Sequence, residues 1–202
     1  MGKSEKDKML AGELYRASDP ELVHERQRCR SVLQAFNAQQ YEYQRLALLK
    51  QLLGRIGSGA FIQPPFACDY GYNLSIGDNV FVNFNTVILD CASVTIGEGT
   101  QVGPGVQILA ADHPRDPQAR RSLLELARPV SIGSNVWVGA AAVVLPGVSV
   151  GAAAFQSRRH RRMATVVAVG SLFALAAATA SLLLGAAGLG IGLGVFDLVA
   201  GI

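Results

Sequence analysis

The sequence predicts a mainly β protein, a parallel β-helix, behind a small α-helical N-terminal region. Aliphatic residues recur every six positions between Leu74 and Gly151: Ile76, Val82 and Ile88, then Ile96, Val102 and Ile108, then Ile132, Val138, Val144 and Val150. Glycine follows the aliphatic residue at Gly77, Gly97, Gly103, Gly133, Gly139 and Gly151. This period fits neither an amphipathic helix nor a plain alternating strand. It is that of a solenoid whose coils are short strands joined by tight turns. The aliphatic residues are expected to point inward and stack coil on coil, and the glycines to supply a positive φ at the corners.

Residues 4–58 are expected to form a helical N-terminal domain. Ser4 with Asp7 makes a capping box that opens a short helix carrying Met9, Leu10 and Leu14. Ser18-Asp19-Pro20-Glu21 is a second start signal, a capping side chain followed by a proline whose missing N–H costs nothing there. The helix that follows sets Leu22, Cys29, Val32, Leu33 and Phe36 on one stripe, with Arg26, Arg28 and Arg30 between them. A third helix carries Leu46, Leu49 and Leu53 and stops at Gly54. Apolar stripes at helical spacing are read as core.

Residues 59–151 are expected to form the β-helix. Phe61 to Tyr72 is the join, where Pro64-Pro65 ends any helix. The phase slips by two between Ile88 and Ile96, which predicts a bulge at Asp90-Cys91-Ala92. The stretch Leu109 to Pro129 breaks the repeat entirely, giving a loop over 109–130. Long excursions from a rigid scaffold are where function concentrates. After Gly151 the composition changes: a basic run, Ser157–Arg162, precedes an apolar span in which Asp197 is the one charge. Two readings of residues 152–202 stay open. One is a helix touching the membrane through residues 164–196, its basic flank on the cytoplasmic side. The other is a tail foreign to the repeat, such as an out-of-frame read of a GC-rich gene would give.

The 202 residues carry a formal net charge of +3, and the excess sits largely in that basic run. Whole-chain charge therefore makes no case for a nucleic-acid partner. Cys29, Cys68 and Cys91 are odd in number and lack metal-ligand spacing, so reduced thiols in a cytoplasmic protein and no metal are expected. The N-terminal MGKSEKDKML is too charged for a signal peptide.

His113 lies in the one long excursion, between Asp112 and Pro114. A single loop histidine is often a plain surface side chain, yet imidazole is also the usual group for taking a proton from a hydroxyl. Asn83 and Asn85 stand at a repeat corner, as residues tolerant of left-handed φ or as hydrogen-bonding groups for a substrate. Trp137, the single tryptophan, is a core cap or a flat surface for a ligand arm.

The segments MLAGELYR, CDYGYN, VNFN, ADHPRDPQAR, PVSIGSNVWVG and VLPGVSVG together resemble the maltose/galactoside O-acetyltransferase group of hexapeptide-repeat transferases, to which the nodulation acetyltransferases are close. The resemblance runs from residue 5 to 151. It implies a left-handed parallel β-helix, assembly as a homotrimer with active sites between neighbours, acetyl-CoA as donor and a sugar hydroxyl as acceptor. It implies His113 as general base, and Asn83, Asp69 and Cys91 as acceptor-site residues. It sets Trp137 against the pantetheine arm and Ala140 where a backbone N–H meets the thioester. Family members continue with further rungs, an SVVT-type loop and a GNPA-type turn that hold coenzyme A, and none follows Gly151 here. The alternative expectation is therefore an impaired remnant, or a membrane-tethered β-helix, with a weakened donor half.

Overall fold

The computed structural model describes residues 2–151 and the backbone of Ala164–Val166. The capping box forms as read: Ser4 Oγ accepts the Asp7 N–H at 3.1 Å, and the Asp7 carboxylate accepts the Ser4 N–H at 3.2 Å. It opens α1 (Glu5–Leu10), which buries Met9; Leu14 lies beyond the helix and is exposed. A short strand, β1 (Tyr15–Arg16), precedes α2 (Pro20–Ala38), whose first turn is capped by the Asp19 side chain. α2 buries Leu22, Cys29, Leu33 and Phe36, so its stripe is core. α3 (Glu42–Leu52) buries Leu49 and Leu52, while Leu46 faces outward. Gly54 is not a left-handed cap, because its φ is not positive. A Cβ there would lie 2.3 Å from the Tyr72 carbonyl oxygen, and that close approach is what requires glycine.

The solenoid starts a full coil ahead of Leu74. Its first coil is β2 (Arg55–Ile56), β3 (Phe61–Ile62) and β4 (Phe66–Cys68), and its second β5 (Leu74–Ile76), β6 (Phe81–Val82) and β7 (Thr86–Leu89). The third is β8 (Val94–Ile96), β9 (Gln101–Val102) and β10 (Gln107–Leu109). The chain then leaves the coils through β11 (Ala111–Asp112), α4 (Pro117–Arg121) and β12 (Leu124–Ala127). The fourth coil is β13 (Val130–Ile132), β14 (Val136–Val138) and β15 (Val143–Val144); a fifth begins with β16 (Ser149–Val150) and adds β17 (Ala164–Val166).

Corresponding strands pair in parallel into three sheets. The first, β16-β13-β8-β5-β2, stacks Ile56, Ile76, Ile96, Ile132 and Val150. The second, β17-β14-β9-β6-β3, stacks Ile62, Val82, Val102 and Val138. The third, β15-β10-β7-β4, stacks Cys68, Ile88, Ile108 and Val144. Nearly all of these rung residues are buried, so each contributes about 1.5–3 kcal/mol of hydrophobic stabilisation.

The glycine behind each rung residue does not supply the positive φ. That conformation comes two residues later, at Gly59, Asn79, Asn85, Gly99, Gly105, Asn135, Ala141 and Gly147. The first corner position takes glycine because adjacent coils meet there: a Cβ on Gly97 would lie 2.5 Å from the Gly133 carbonyl carbon.

α2 seats on the first coil. Phe36 meets Phe66 edge-on at 6.5 Å between centroids, and the Asn37 amide both donates to the Phe66 carbonyl and accepts its N–H. Cys29 Sγ lies 3.6 Å from Cys68 Sγ. Among the described residues of the tail, Ala164–Val166 joins the second sheet in register with Val136–Val138 instead of opening a membrane helix. The rest of the tail lies outside the described residues, and with it the expected span 164–196 from residue 167 on. No described helix is long and apolar enough to cross a membrane.

Candidate active site

The excursion after the third coil is an ordered sheet, not an open loop. β11 pairs antiparallel with β12, and β12 pairs antiparallel with β1 from the N-terminal region. The paired registers are Ala111↔Ala127 and Asp112↔Leu126, and His113 follows directly after the last residue of β11. Glu125 is opposite Tyr15. Directly opposed residues share a face of an antiparallel pair, so Tyr15 and Glu125 face the same way across β1 and β12. Asp112 ends β11: its Oδ1 accepts the His113 N–H at 2.8 Å, and its Oδ2 faces Arg128 at 3.8 Å. His113 itself is exposed to solvent.

The Tyr15–Glu125 pair meets the corner that follows the third sheet. Tyr15 is fully buried and its hydroxyl donates to Glu125 Oε2 at 3.1 Å. Burial, reinforced by the neighbouring Cys91 and Glu125, holds the Tyr15 hydroxyl well above its ordinary pKa, so it stays a donor. The Cys91 thiol donates to Asp69 Oδ2 at 3.5 Å. Burial, with the Asp69 charge beside it, pushes Cys91 up to about 12 and keeps it a thiol. Asp69 is raised by burial too, an effect the Cys91 bond and Arg26 oppose. Arg26 on α2 donates to the Tyr70 hydroxyl at 2.5 Å and to the Ala17 carbonyl, tying the helix to this corner. Asp69, Cys91, Tyr15 and Glu125 thus form one connected polar cluster.

Asn83 and Ala140 stand at the other end of the third sheet, on the corner that precedes it. Asn83 follows β6; its side-chain oxygen accepts the Phe84 N–H at 2.8 Å, and its backbone N–H donates to the Val102 carbonyl. Its φ is not positive, whereas Asn85 has φ 59°, so the left-handed reading fits Asn85 alone. Ala140 sits on the same corner line two coils further on, where Ala141 takes the positive φ. Trp137 projects from the middle of β14, 44% exposed, in register with Gln101 and, one coil beyond, Phe81. Phe81 in turn stacks on Phe61 at 6.0 Å, so the second sheet carries a partly aromatic outer face. Phe84 to Leu89 separate Asn83 from the Asp90–Cys91 corner, and the four residues of β7 among them span about 13 Å. Within one chain the expected site residues other than Trp137 therefore fall into two groups at opposite edges of the third sheet, and Trp137 lies on the second sheet.

The residues the sequence did not single out are Tyr15 and Glu125. They lie 110 positions apart, and the strand pairing alone brings them together. Among the described residues no three His, Cys, Asp or Glu side chains are grouped as metal ligands.

Comparison with known proteins gives the family. Residues 8–57 match the maltose acetyltransferase hexapeptide capping motif. The chain is 50% identical over 155 residues to nodulation protein L of Rhizobium leguminosarum bv. viciae, a match covering 74% of this chain and 80% of that protein. The crystal structure of a maltose O-acetyltransferase from Clostridium difficile 630 matches with a TM-score of 0.73 at 38% identity, over 75% of this chain and 82% of that one. A hexapeptide-repeat acetyltransferase from Vibrio cholerae O1 biovar eltor, complexed with acetyl coenzyme A, matches with a TM-score of 0.68 at 35% identity, over 73% and 80% of the two chains. The fold is thus a left-handed β-helix. With its capping helices, its hexad coils and relatives this similar over most of their length, the chain belongs to the maltose/galactoside O-acetyltransferase family of hexapeptide-repeat acetyltransferases.

Proposed function

We propose that the protein transfers an acetyl group from acetyl-CoA to a sugar hydroxyl, with His113 as general base. His113 takes the hydroxyl proton as the acceptor oxygen attacks the thioester carbonyl carbon. The new C–O bond forms, the C–S bond breaks through a tetrahedral oxyanion, and the imidazolium returns its proton to the departing coenzyme A thiolate. Glu125, on the strand paired with β11, stabilises the imidazolium; Asp69 and Cys91 hold the acceptor. Asn83 binds the acceptor from the opposite corner, Trp137 packs on the pantetheine arm, and the Ala140 backbone N–H faces the oxyanion. The two groups of residues come together when one copy's Asn83 corner meets its neighbour's His113 edge, as in a homotrimer built by a heterologous interface.

The separation of those groups at opposite edges of the third sheet carries this reading. Acetyl-CoA is incubated with a panel of mono- and disaccharides and the products are weighed by mass spectrometry. One O-acetyl group per acceptor is expected. His113→Ala and Asn83→Ala are each expected to be inactive, and their unfolded and co-refolded mixture to regain activity at about a quarter of its interfaces. No transfer to any sugar refutes the acceptor class. Transfer without recovery in the mixture refutes the shared site. Absence of acetyl-CoA binding by calorimetry refutes the donor.

A further inference from the structure

Asp90 is the one charged side chain among the described residues that is fully buried. Its register neighbours in the coils before and after are Tyr70 and Ala110, both buried, so the position belongs to the interior stack. An apolar side chain satisfies the fold there, as Ala110 does one coil on. A carboxylate in that place carries a desolvation cost that a hydrophobic residue avoids. What it gains is on one side. Asp90 Oδ1 accepts two consecutive backbone N–H groups, from Asp69 at 3.0 Å and Tyr70 at 2.9 Å, while its Oδ2 is buried without a partner. The Asp90 carbonyl accepts the Asn73 amide at 2.7 Å, closing the same turn from its far end. The next residue, Cys91, holds the Asp69 carboxylate itself. Two adjacent residues therefore grip Asp69 twice, one by its backbone and one by its side chain.

We infer that Asp90 is a positioning residue for the acceptor: it fixes the Asp69–Tyr70 turn, and with it the angle at which the Asp69 carboxylate enters the site. This rests on the reading of Asp69 as an acceptor-site residue. Asp90 touches no reacting atom and acts through its neighbour.

A double-mutant cycle on the full chain tests it, with acceptor KM and acetyl-CoA KM read separately. Asp90→Ala removes the acceptor of both N–H bonds and is expected to raise acceptor KM about tenfold. Asp90→Asn keeps a weaker acceptor and is expected to raise it about threefold. Acetyl-CoA KM stays within about twofold in both. In an Asp69→Ala background either substitution is expected to change acceptor KM by less than about twofold, because the residue it positions is gone. If Asp90→Ala is not recovered folded, Asp90→Asn alone decides. An unchanged acceptor KM, an equal rise in both KM values, or the same rise in the Asp69→Ala background overturns the inference and leaves the transfer reaction standing. A wild-type chain that acetylates no sugar overturns both.

Discussion

Replacing Gly97 by alanine tests the coil stacking on which every position in the site depends. The added Cβ would lie 2.5 Å from the Gly133 carbonyl carbon and the Ser134 nitrogen, and 2.7 Å from Ser134 Oγ. Two of the three obstacles are backbone of the next coil, so no side-chain rotation relieves the clash. That coil is held by the Gly97 N–H, which donates to the Ile132 carbonyl at 2.8 Å, and by the Ile96↔Ile132 register. To reach ordinary contact at 3.4 Å the coils must part by roughly 0.9 Å, which takes this hydrogen bond out of range. The cost falls at the top of the overpacking range, about 3 kcal/mol, or roughly 6–12 °C in Tm for a chain of this length. Gly99→Ala is the matched control. Its φ is +68° with nothing within 4 Å of an added Cβ, so it meets left-handed strain alone, about 1 kcal/mol. Thermal unfolding followed by circular dichroism compares the two. A Gly97→Ala protein that melts with wild type, or above Gly99→Ala, would refute the stacking argument.

Asp90 predicts a pH dependence of stability. Burial raises its pKa to about 6, against backbone bonds that lower it, from a usual value of about 4. The folded state therefore binds the proton more tightly, so this group's contribution to stability grows as pH falls from about 7 to 4, by about 3 kcal/mol. Asp90→Asn lacks that contribution, so the stability of wild type minus variant should widen on acidification; a constant or shrinking difference contradicts it. Trp137→Ala should raise the acetyl-CoA dissociation constant about tenfold with little change in Tm, since the side chain is 44% exposed; unchanged calorimetric binding would remove it from the donor site. Phe36→Ala should cost about 3–5 kcal/mol, because the ring is fully buried against Phe66; a loss below 1 kcal/mol by urea unfolding would mean that α2 does not seat on the first coil.

The hexad ladder was legible because solenoid coils repeat the same inward position, and Ile76, Val102 and Val138 stack where their spacing implies. The first coil was not, although Ile56, Ile62 and Cys68 keep the same period. The prolines between β3 and β4 and the aromatic residues after them read as a connection, and a cysteine is a weak rung signal. Glycine's place in the repeat was visible, but its reason was misassigned: spacing cannot tell a close inter-coil approach from a left-handed φ. Helix starts at Ser4 and Asp19 were readable from local capping chemistry. His113 stood out because it lay in the one break in the repeat. Tyr15 and Glu125 carried no local signal. Their proximity depends on an antiparallel pairing between the N-terminal strand and the excursion, which no periodicity encodes. The split of the expected site residues between two edges of the third sheet likewise becomes visible only when the coils are closed.

His113, the residue that follows β11, is proposed as the base for acetyl transfer. The ratio of kcat/KM for wild type and His113→Ala, with acetyl-CoA and the best sugar acceptor, measures it most directly. A loss of about 10²–10⁴-fold with Tm unchanged is expected, as removal of a positioned general base gives. A His113→Ala enzyme within about threefold of wild type would contradict it.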